Sequence, residues 1–329
     1  MKEILEHLYL HKTLSKAEAK TILIDIASGK YNLYQTASFL TAFIMRNITL
    51  DELKGFREAL LELCHRVNLS EYNAMDVCGT GGDGKNTFNI STLSSFVVAG
   101  AGIPVAKHGN YGVSSVSGSS NVLEQSGIRF QAEEKKLNEQ LDKANICFLH
   151  APQYHPAMKF VAPIRKELGV KTFFNMLGPL VNPAQPNIQL VGVFSLELAR
   201  MYQYLFQEEQ MQYTIIHSLD GFDEVSLTDE CKLISNNDEQ IVKPDYFGFD
   251  AVSLEAIHGG KTVEEAAEIF SMILRGEGTK AQNEVVLANA ALAIQTYKKI
   301  EIMDAIEKAK DSLFGLKALQ SFNALKRLA

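Results

Sequence analysis

Apolar side chains recur at helical spacing through the first part of the chain: Ile4, Leu8 and Leu10, then Ala19 with Ile22, Ile24 and Ile26. Such spacing gathers apolar groups on one helix face. Ser15 and Glu18, and again Thr49 and Glu52, place a hydroxyl three residues before a carboxylate, the arrangement that satisfies the free N–H groups of a helix start from both sides. Gly29 is placed to stop the second helix. A third helix is expected over Leu33 to Arg46, and a fourth from about Asp51, with Leu53, Phe56, Leu60 and Cys64 on one face.

The pattern changes near Ala74. Short apolar runs, Ala74–Cys78, Ile103–Ala106, Ile146–Leu149, Ile188–Val193 and Tyr213–Ile216, read as buried strands. Between them lie helical stretches over Ser91–Ala101, Ser119–Gln125, Glu133–Ala144 and Leu196–Gln207. Strands alternating with helices predict an α/β fold with a mainly parallel central sheet. The last part is expected to be helical, with a third hydroxyl–carboxylate pair at Thr262 and Glu265 and an amphipathic stretch from Leu316 to Leu328. The expected organisation is a small all-helical domain, residues 1–70 with part of about 155–185, and a larger α/β domain, residues 71–154 and 186–329.

Composition narrows the function. The 329 residues are enough for two domains with real cores. Apolar residues make up 46% and charged residues 22%, ordinary for a soluble globular protein. The formal net charge of −7 lowers the odds of a nucleic-acid partner, which favours a basic excess. Cys64, Cys78, Cys147 and Cys231 form no C-x-x-C pair and suggest neither zinc nor a redox framework. Glu3 and Glu6 interrupt the N-terminal apolar pattern, and the weakly polar run from Leu93 to Ala106 is too short to span a bilayer. A cytoplasmic protein without a membrane partner is expected.

The chemistry concentrates in loops that follow strands. DVCGTGGDGKNTFNIST, Asp76 to Thr92, carries Gly79, Gly81, Gly82 and Gly84 after a strand and meets Asn89, Ser91 and Thr92 at a helix start. Glycines let the backbone approach an anion, and a helix start adds N–H groups and partial positive charge. Gly79-Thr-Gly-Gly-Asp-Gly84 has the bare G-x-G-x-x-G spacing, and Asn86 after Lys85 leaves G-x-x-x-x-G-K-[ST] incomplete, so spacing alone marks a phosphate cradle without fixing its kind, with a tight turn as the plain alternative. The run from Lys107 to Ser120 follows a second strand and adds a lysine charge with Ser114, Ser115, Ser117 and Ser119 hydroxyls, unless it is a flexible Gly/Ser surface loop. Two such loops suit a ligand with two phosphate ends. Asp223 and Glu224 stand on a loop after a further strand, and adjacent carboxylates suit magnesium, although an exposed acidic turn looks the same. His150, Tyr154, His155 and Arg165 are polar points in an apolar setting, where Arg165 is suited to grip a carboxylate and a surface helix is the plain alternative.

Taken in order, CGTGGDGKNTFNIST, KHGNYGVSSVSGS, APQYHPAMKFVAPIRKELG with FNMLGPLVNP, and GFDEVS resemble the anthranilate phosphoribosyltransferases, within the wider group that includes the pyrimidine nucleoside phosphorylases. The resemblance implies transfer of the phosphoribosyl group of 5-phosphoribosyl 1-pyrophosphate to the amine of anthranilate, in tryptophan biosynthesis. It implies a homodimer joined through the helical domains, with the active site between the two domains. It also implies that the Gly79–Asp83 loop wraps the donor, that Gly82, Asp83, Thr87, Asn89, Ser91, Thr92, Lys107 and Ser119 hold it, that His108, Asn110 and Arg165 contact anthranilate, and that Gly79, Ile90, Gly109 and Ser115 belong to the substrate-binding set. Two magnesium ions per monomer are implied, one at Ser91 and Glu224 and a second at Asp223 and Glu224. No Ser-His-Asp or Cys-His set stands out, so no general base is expected. The sequence departs from the resemblance at Tyr111, commonly Arg, and at Asn121, commonly Asp. A pyrimidine nucleoside phosphorylase is the nearest rival, opposed by GFDEVS and by length. A nucleic-acid-binding relative on the same scaffold is the rival of another class, opposed by the net charge.

Overall fold

The computed structural model describes every residue except Val113 and Ser114. The chain opens with helices α1 (Lys2–Tyr9), α2 (Lys16–Ala27), α3 (Leu33–Met45) and α4 (Leu50–Glu62). It continues with β1 (Met75–Gly79), α5 (Ile90–Gly100), β2 (Val105–Gly109), α6 (Ser119–Gln125), α7 (Glu134–Ala144) and β3 (Ile146–His150), followed by the short helices α8 (Ala151–Tyr154) and α9 (Ala162–Leu168). The rest holds β4 (Ile188–Gly192), α10 (Leu196–Glu208), β5 (Gln212–Ser218), β6 (Cys231–Ser235), β7 (Glu239–Val242), α11 (Val263–Leu274), α12 (Lys280–Lys298), α13 (Ile302–Phe314) and α14 (Lys317–Leu328). These elements form two units, Met1–Arg66 with Ala151–Pro183, and Val67–His150 with Ala184–Ala329.

The smaller unit is all-helical. Both expected capping boxes close, at Ser15–Glu18 and Thr49–Glu52, and a third that the sequence reading did not pick out forms at Asn32–Gln35. Its core is a cluster of rings. Phe56 stacks on Phe173 at 4.2 Å between centroids, Phe173 stacks on Phe174 at 4.6 Å, and Phe39 and Phe43 meet them edge-on. Each such buried ring contributes about 1.5–3 kcal/mol relative to exposure. A Cβ on Gly55 of α4 would lie 2.3 Å from the Lys16 carbonyl oxygen, so α2 and α4 approach at a distance only glycine permits there.

The larger unit is built on a seven-stranded sheet in the order β3-β2-β1-β4-β5-β6-β7. The five strands expected from the apolar runs pair in parallel, and β6 and β7 extend the sheet antiparallel. Lys232 interrupts the apolar residues of β6, and β7 has one buried residue among four, so no sustained apolar run announces them. Helix α12 is buried nearly all round, through Val285, Val286, Leu287, Ala288, Ala290, Ala291, Leu292 and Ala293, and forms the centre of the core with α5. At Thr262 only half of the expected capping box forms. The Thr262 hydroxyl accepts from Glu265 N, but Glu265 reaches back to Lys261 N instead.

The sheet order fixes where a ligand can sit. After β1 the chain runs to β2 on one side, and later returns to β4 on the other. In open α/β sheets such a reversal leaves a crevice beyond the carboxyl ends of the strands. Gly79 ends β1, Gly192 ends β4, and the two lie opposite one another in register.

Candidate functional site

The glycine pair at the strand ends makes room for one residue. A Cβ on Gly79 would stand 2.4 Å from Asp223 Oδ2, and one on Gly192 would stand 1.4 Å from the Asp223 carbonyl oxygen. Asp223 therefore lies directly over the reversal point of the sheet. Its Oδ2 accepts the Gly81 N–H at 2.7 Å, which ties it beneath the first Gly-rich loop. That loop bends through positive φ at Gly81, Gly82 and Gly84, at 60°, 74° and 77°, where other residues would be strained.

Glu224 accepts the N–H of Ser91, in the first turn of α5, at 2.9 Å. The sequence suggested open N–H groups at this helix start, and two of them are taken: Ser91 by Glu224, and Ile90 by the Phe88 carbonyl at 2.6 Å. A carboxylate there is favoured by the helix dipole. Asp83 completes a group of three acids. Burial, then the Asp83 charge, raises the Asp223 carboxyl above its ordinary range. Burial, Asp223 and Asp83 raise Glu224 well above its own.

Lys107 is the cation facing these acids, and its placement corrects the sequence reading. It lies on β2, which continues to Gly109, rather than in the loop after a strand ending at Ala106. The side chain is buried, and Nζ donates to the Val77 carbonyl at 2.5 Å and to Ser91 Oγ at 3.4 Å. Burial lowers its pKa, against the opposing charges of Asp76, Cys78 and Glu224. Lys107 is thus held beside the start of α5 by the Val77 carbonyl and Ser91 Oγ. Asp76, fully buried on β1, accepts the His108 N–H at 3.3 Å and is a site-side acid that the sequence reading did not single out.

The second loop is tied to the first and to itself. Asn89 Nδ2 donates to the Ser117 carbonyl at 3.0 Å, while Asn89 Oδ1 is buried with no hydrogen-bond partner. A Cβ on Gly109 would lie 2.3 Å from Ser119 Oγ, so the strand end and the start of α6 touch. Asn110 accepts the Ser120 N–H at 3.1 Å and the Ser119 hydroxyl at 3.3 Å through its carbonyl. Ser115 Oγ donates to the Ser117 carbonyl at 3.4 Å. Ser114 lies outside the described residues.

Both departures from the resemblance have a place here. Asn121 Oδ1 accepts the Gly112 and Gly118 N–H groups at 2.9 and 3.0 Å. Two accepted bonds need only an oxygen, which Asp would supply equally well. The Tyr111 hydroxyl donates to Glu124 Oε1 at 3.0 Å, and its ring meets His150 edge-on at 4.9 Å. His150 is in turn bonded to Ser120 Oγ at 2.8 Å and stacked on Phe130 at 4.3 Å.

Residues 257–260 were missed from the sequence. His258 forms an isolated bridge with Thr87, Gly259 N donates to the Asn86 carbonyl at 2.8 Å, and Asn86 Nδ2 donates to the Gly260 carbonyl at 2.7 Å. The available signal was the Gly259–Gly260 pair after the apolar Ile257. A Cβ on Gly259 would fall 2.3 Å from the Thr87 carbonyl oxygen.

Of the remaining expected residues, Thr92 is buried in α5 and Ile90 packs in the core. His155 and Tyr154 are buried inside the smaller unit, and burial pushes His155 down to about 4, so it is a neutral core histidine. Arg165, on α9 of the smaller unit, lies over the Phe174 ring at 5.3 Å and donates to Asn175 Oδ1 at 3.4 Å. Burial lowers its pKa, and among the described residues no carboxylate pairs with it.

Among the described residues no group of three or more His, Cys, Asp and Glu is arranged to hold a metal by itself. Magnesium rarely uses such a cage; one or two carboxylates with substrate phosphates suffice. Buried, mutually repelling acids at Asp223 and Glu224 fit that requirement. No helix among the described residues is long and apolar enough to cross a membrane.

The chain matches two family descriptions. Residues 71–318 match the a/b domain of a glycosyl transferase family and residues 2–64 its helical bundle domain. It is 62% identical over 328 residues to an anthranilate phosphoribosyltransferase of Flavobacterium johnsoniae, covering 99% of each chain. The fold resembles the anthranilate phosphoribosyltransferase of Thermus thermophilus at a TM-score of 0.90, with 30% identity and 98% of each chain covered. It also resembles that of Saccharomyces cerevisiae in complex with PRPP and Mg, at a TM-score of 0.90, with 27% identity, 98% of this chain and 96% of that one.

Proposed function

The chain belongs to the anthranilate phosphoribosyltransferases of this glycosyl transferase family, and from that membership we propose how its own residues perform the reaction. The enzyme transfers the phosphoribosyl group of 5-phosphoribosyl 1-pyrophosphate to the amine of anthranilate, releasing N-(5-phosphoribosyl)anthranilate and pyrophosphate, in tryptophan biosynthesis.

The donor lies beyond the ends of β1 and β4, where the Gly79–Gly192 pair and the overlying Asp223 carry the reading. Gly82, Asp83, Thr87, Asn89, Ile90, Ser91 and Thr92 hold its phosphates from the first loop and the start of α5. Gly109, Ser115 and Ser119 hold it from the second loop, with Lys107 beneath. Asp223 and Glu224 with Ser91 would hold two magnesium ions, which would supply positive charge to offset that of the pyrophosphate leaving group. His108 and Asn110 line the acceptor, and Arg165 takes its carboxylate in two hydrogen bonds.

The anomeric carbon gains oxocarbenium character as pyrophosphate leaves, and the arylamine attacks it with inversion. An arylamine sheds its proton readily once bonded, so positioning and electrostatics suffice without a general base. The protein acts as a cytoplasmic homodimer. Exposed Tyr9, Leu10, Leu33, Tyr34 and Met45 on and beside α1 and α3 support a self-association surface on the smaller unit.

The deciding measurement follows anthranilate fluorescence with the protein, the donor and magnesium. Signal loss that needs all three supports the reading. A flat trace with folded protein overturns it, and turnover of nucleosides with phosphate would then favour a nucleoside phosphorylase.

A further inference from the structure

Helix α12 is buried nearly all round, and it carries Asn289 at its centre among Ala and Leu, 3% exposed. A buried amide is costly unless fully bonded, and Asn is a weaker helix former than the surrounding Ala and Leu. Its bonds explain its presence. Oδ1 accepts the Val225 N–H at 3.0 Å, and Nδ2 donates to the Val225 carbonyl at 2.8 Å and to the Val285 carbonyl of its own helix at 2.8 Å. The carboxamide therefore grips both backbone groups of one residue, as a neighbouring strand would, at a point where the chain has left β5 and not yet entered β6. Val225 directly follows Glu224. The Ser218 hydroxyl, at the end of β5 and fully buried, donates to the Glu224 carbonyl at 2.6 Å. Beyond it, Ser226 and Thr228 share a hydroxyl bond at 2.6 Å, and Thr228 donates to Asp220.

We infer that Asn289 is a positioning residue, clamping the Val225 backbone from the core so that the Asp223 and Glu224 carboxylates project over the Gly79–Gly192 strand ends. The inference rests on the assignment of that pair to magnesium and donor. Two accepted or donated bonds on one residue fix its peptide planes, and a small rotation there would swing Glu224 off Ser91 N and Asp223 off Gly81 N. The clamp comes from a helix 64 residues away in sequence, and it joins the Ser218 hydroxyl in holding the backbone on either side of the Glu224–Val225 peptide.

The test uses the full chain with Asn289→Ala, Ser218→Ala and the double variant Asp223→Ala, Glu224→Ala. Manganese(II) binding in the presence of donor is read by electron paramagnetic resonance, beside KM for donor, KM for anthranilate and thermal unfolding. Asn289→Ala is expected to weaken manganese binding and raise the donor KM by about tenfold, with the anthranilate KM unchanged. Ser218→Ala, which loses one hydroxyl and keeps the packing, is expected to shift the same two quantities in the same direction by less, and it decides the matter if Asn289→Ala does not fold. Unchanged manganese affinity and donor KM in the folded variants, beside lost binding in the double variant, overturn the inference alone. Retained manganese binding in the double variant overturns the carboxylate assignment and the inference with it.

Discussion

Glu224 Oε1 accepts the backbone N–H of Ser91 at 2.9 Å, although the two residues stand 133 apart in sequence. One carboxylate thus caps α5 and belongs to the acidic pair over the sheet reversal. The cap and the proposed metal contact would share this carboxylate, and substitution separates them.

Glu224→Gln keeps an oxygen to accept from Ser91 N and loses the charge. Its unfolding temperature should stay near that of the parent, while turnover in magnesium falls by at least about tenfold. Glu224→Ala loses both, so it should add a stability loss of about 1 kcal/mol, the usual worth of a helix cap. Equal turnover in Glu224→Gln and the parent would remove the charge from the mechanism.

The strand-end glycines make a graded pair. An added Cβ at Gly192 would collide with the Asp223 backbone at 1.4 Å, and one at Gly79 would press the Asp223 side chain at 2.4 Å. A backbone collision has nowhere to go, whereas a carboxylate can rotate. Gly192→Ala should fail to fold or lose more than about 3 kcal/mol. Gly79→Ala should fold and lose donor binding, which calorimetry with the donor and magnesium would read.

Much of this site was legible in the sequence because its signals are local. A glycine run after a buried strand, a hydroxyl cluster at a helix start and adjacent acids each occupy a few consecutive residues. Long-range partners were not legible. Nothing near Lys107 says that its ammonium turns under the sheet to the Val77 carbonyl, and nothing near Asn289 points to Val225. The parallel strands showed as apolar runs because both faces are buried, while Lys232 interrupts Cys231–Ser235 and the edge strand Glu239–Val242 has exposed positions, so neither gave a run. The half-formed box at Thr262 marks the same limit: Glu265 has the right spacing, and Lys261 N, one residue further out, takes it instead.

The smaller unit should show an acid transition of its own. Glu52 is fully buried and bonded to Arg46, to Leu14 N at 2.8 Å and to Thr49 N at 2.9 Å. Burial acts to raise its carboxyl, but these hydrogen bonds outweigh it and hold the pKa below the ordinary 4.5. A depressed folded pKa contributes stability above the unfolded value that is lost as pH falls through the folded one. Denaturant unfolding should therefore weaken below pH 4.5, and Glu52→Gln should flatten that part of the profile. At neutral pH the same variant leaves Arg46 without its partner and should cost about 3–5 kcal/mol. An unchanged acid limb in Glu52→Gln would place the transition elsewhere.

Arg165 allows the sharpest test of acceptor recognition. Its guanidinium is partly buried over the Phe174 ring, at 5.3 Å, and among the described residues it has no carboxylate partner. Keeping a cation desolvated without a counter-charge is unfavourable unless a ligand supplies one. Arg165→Lys keeps the charge but not the planar fork, so the anthranilate KM should rise by about tenfold while the donor KM holds. Aniline, which lacks the carboxylate, separates recognition from folding. If Arg165 binds that carboxylate, the preference of the parent enzyme for anthranilate over aniline should shrink in Arg165→Lys and shrink further in Arg165→Gln, with aniline turnover little changed. A variant that loses both acceptors equally would show that Arg165 holds the smaller unit together through Phe174 and Asn175, and that the carboxylate is read by another residue.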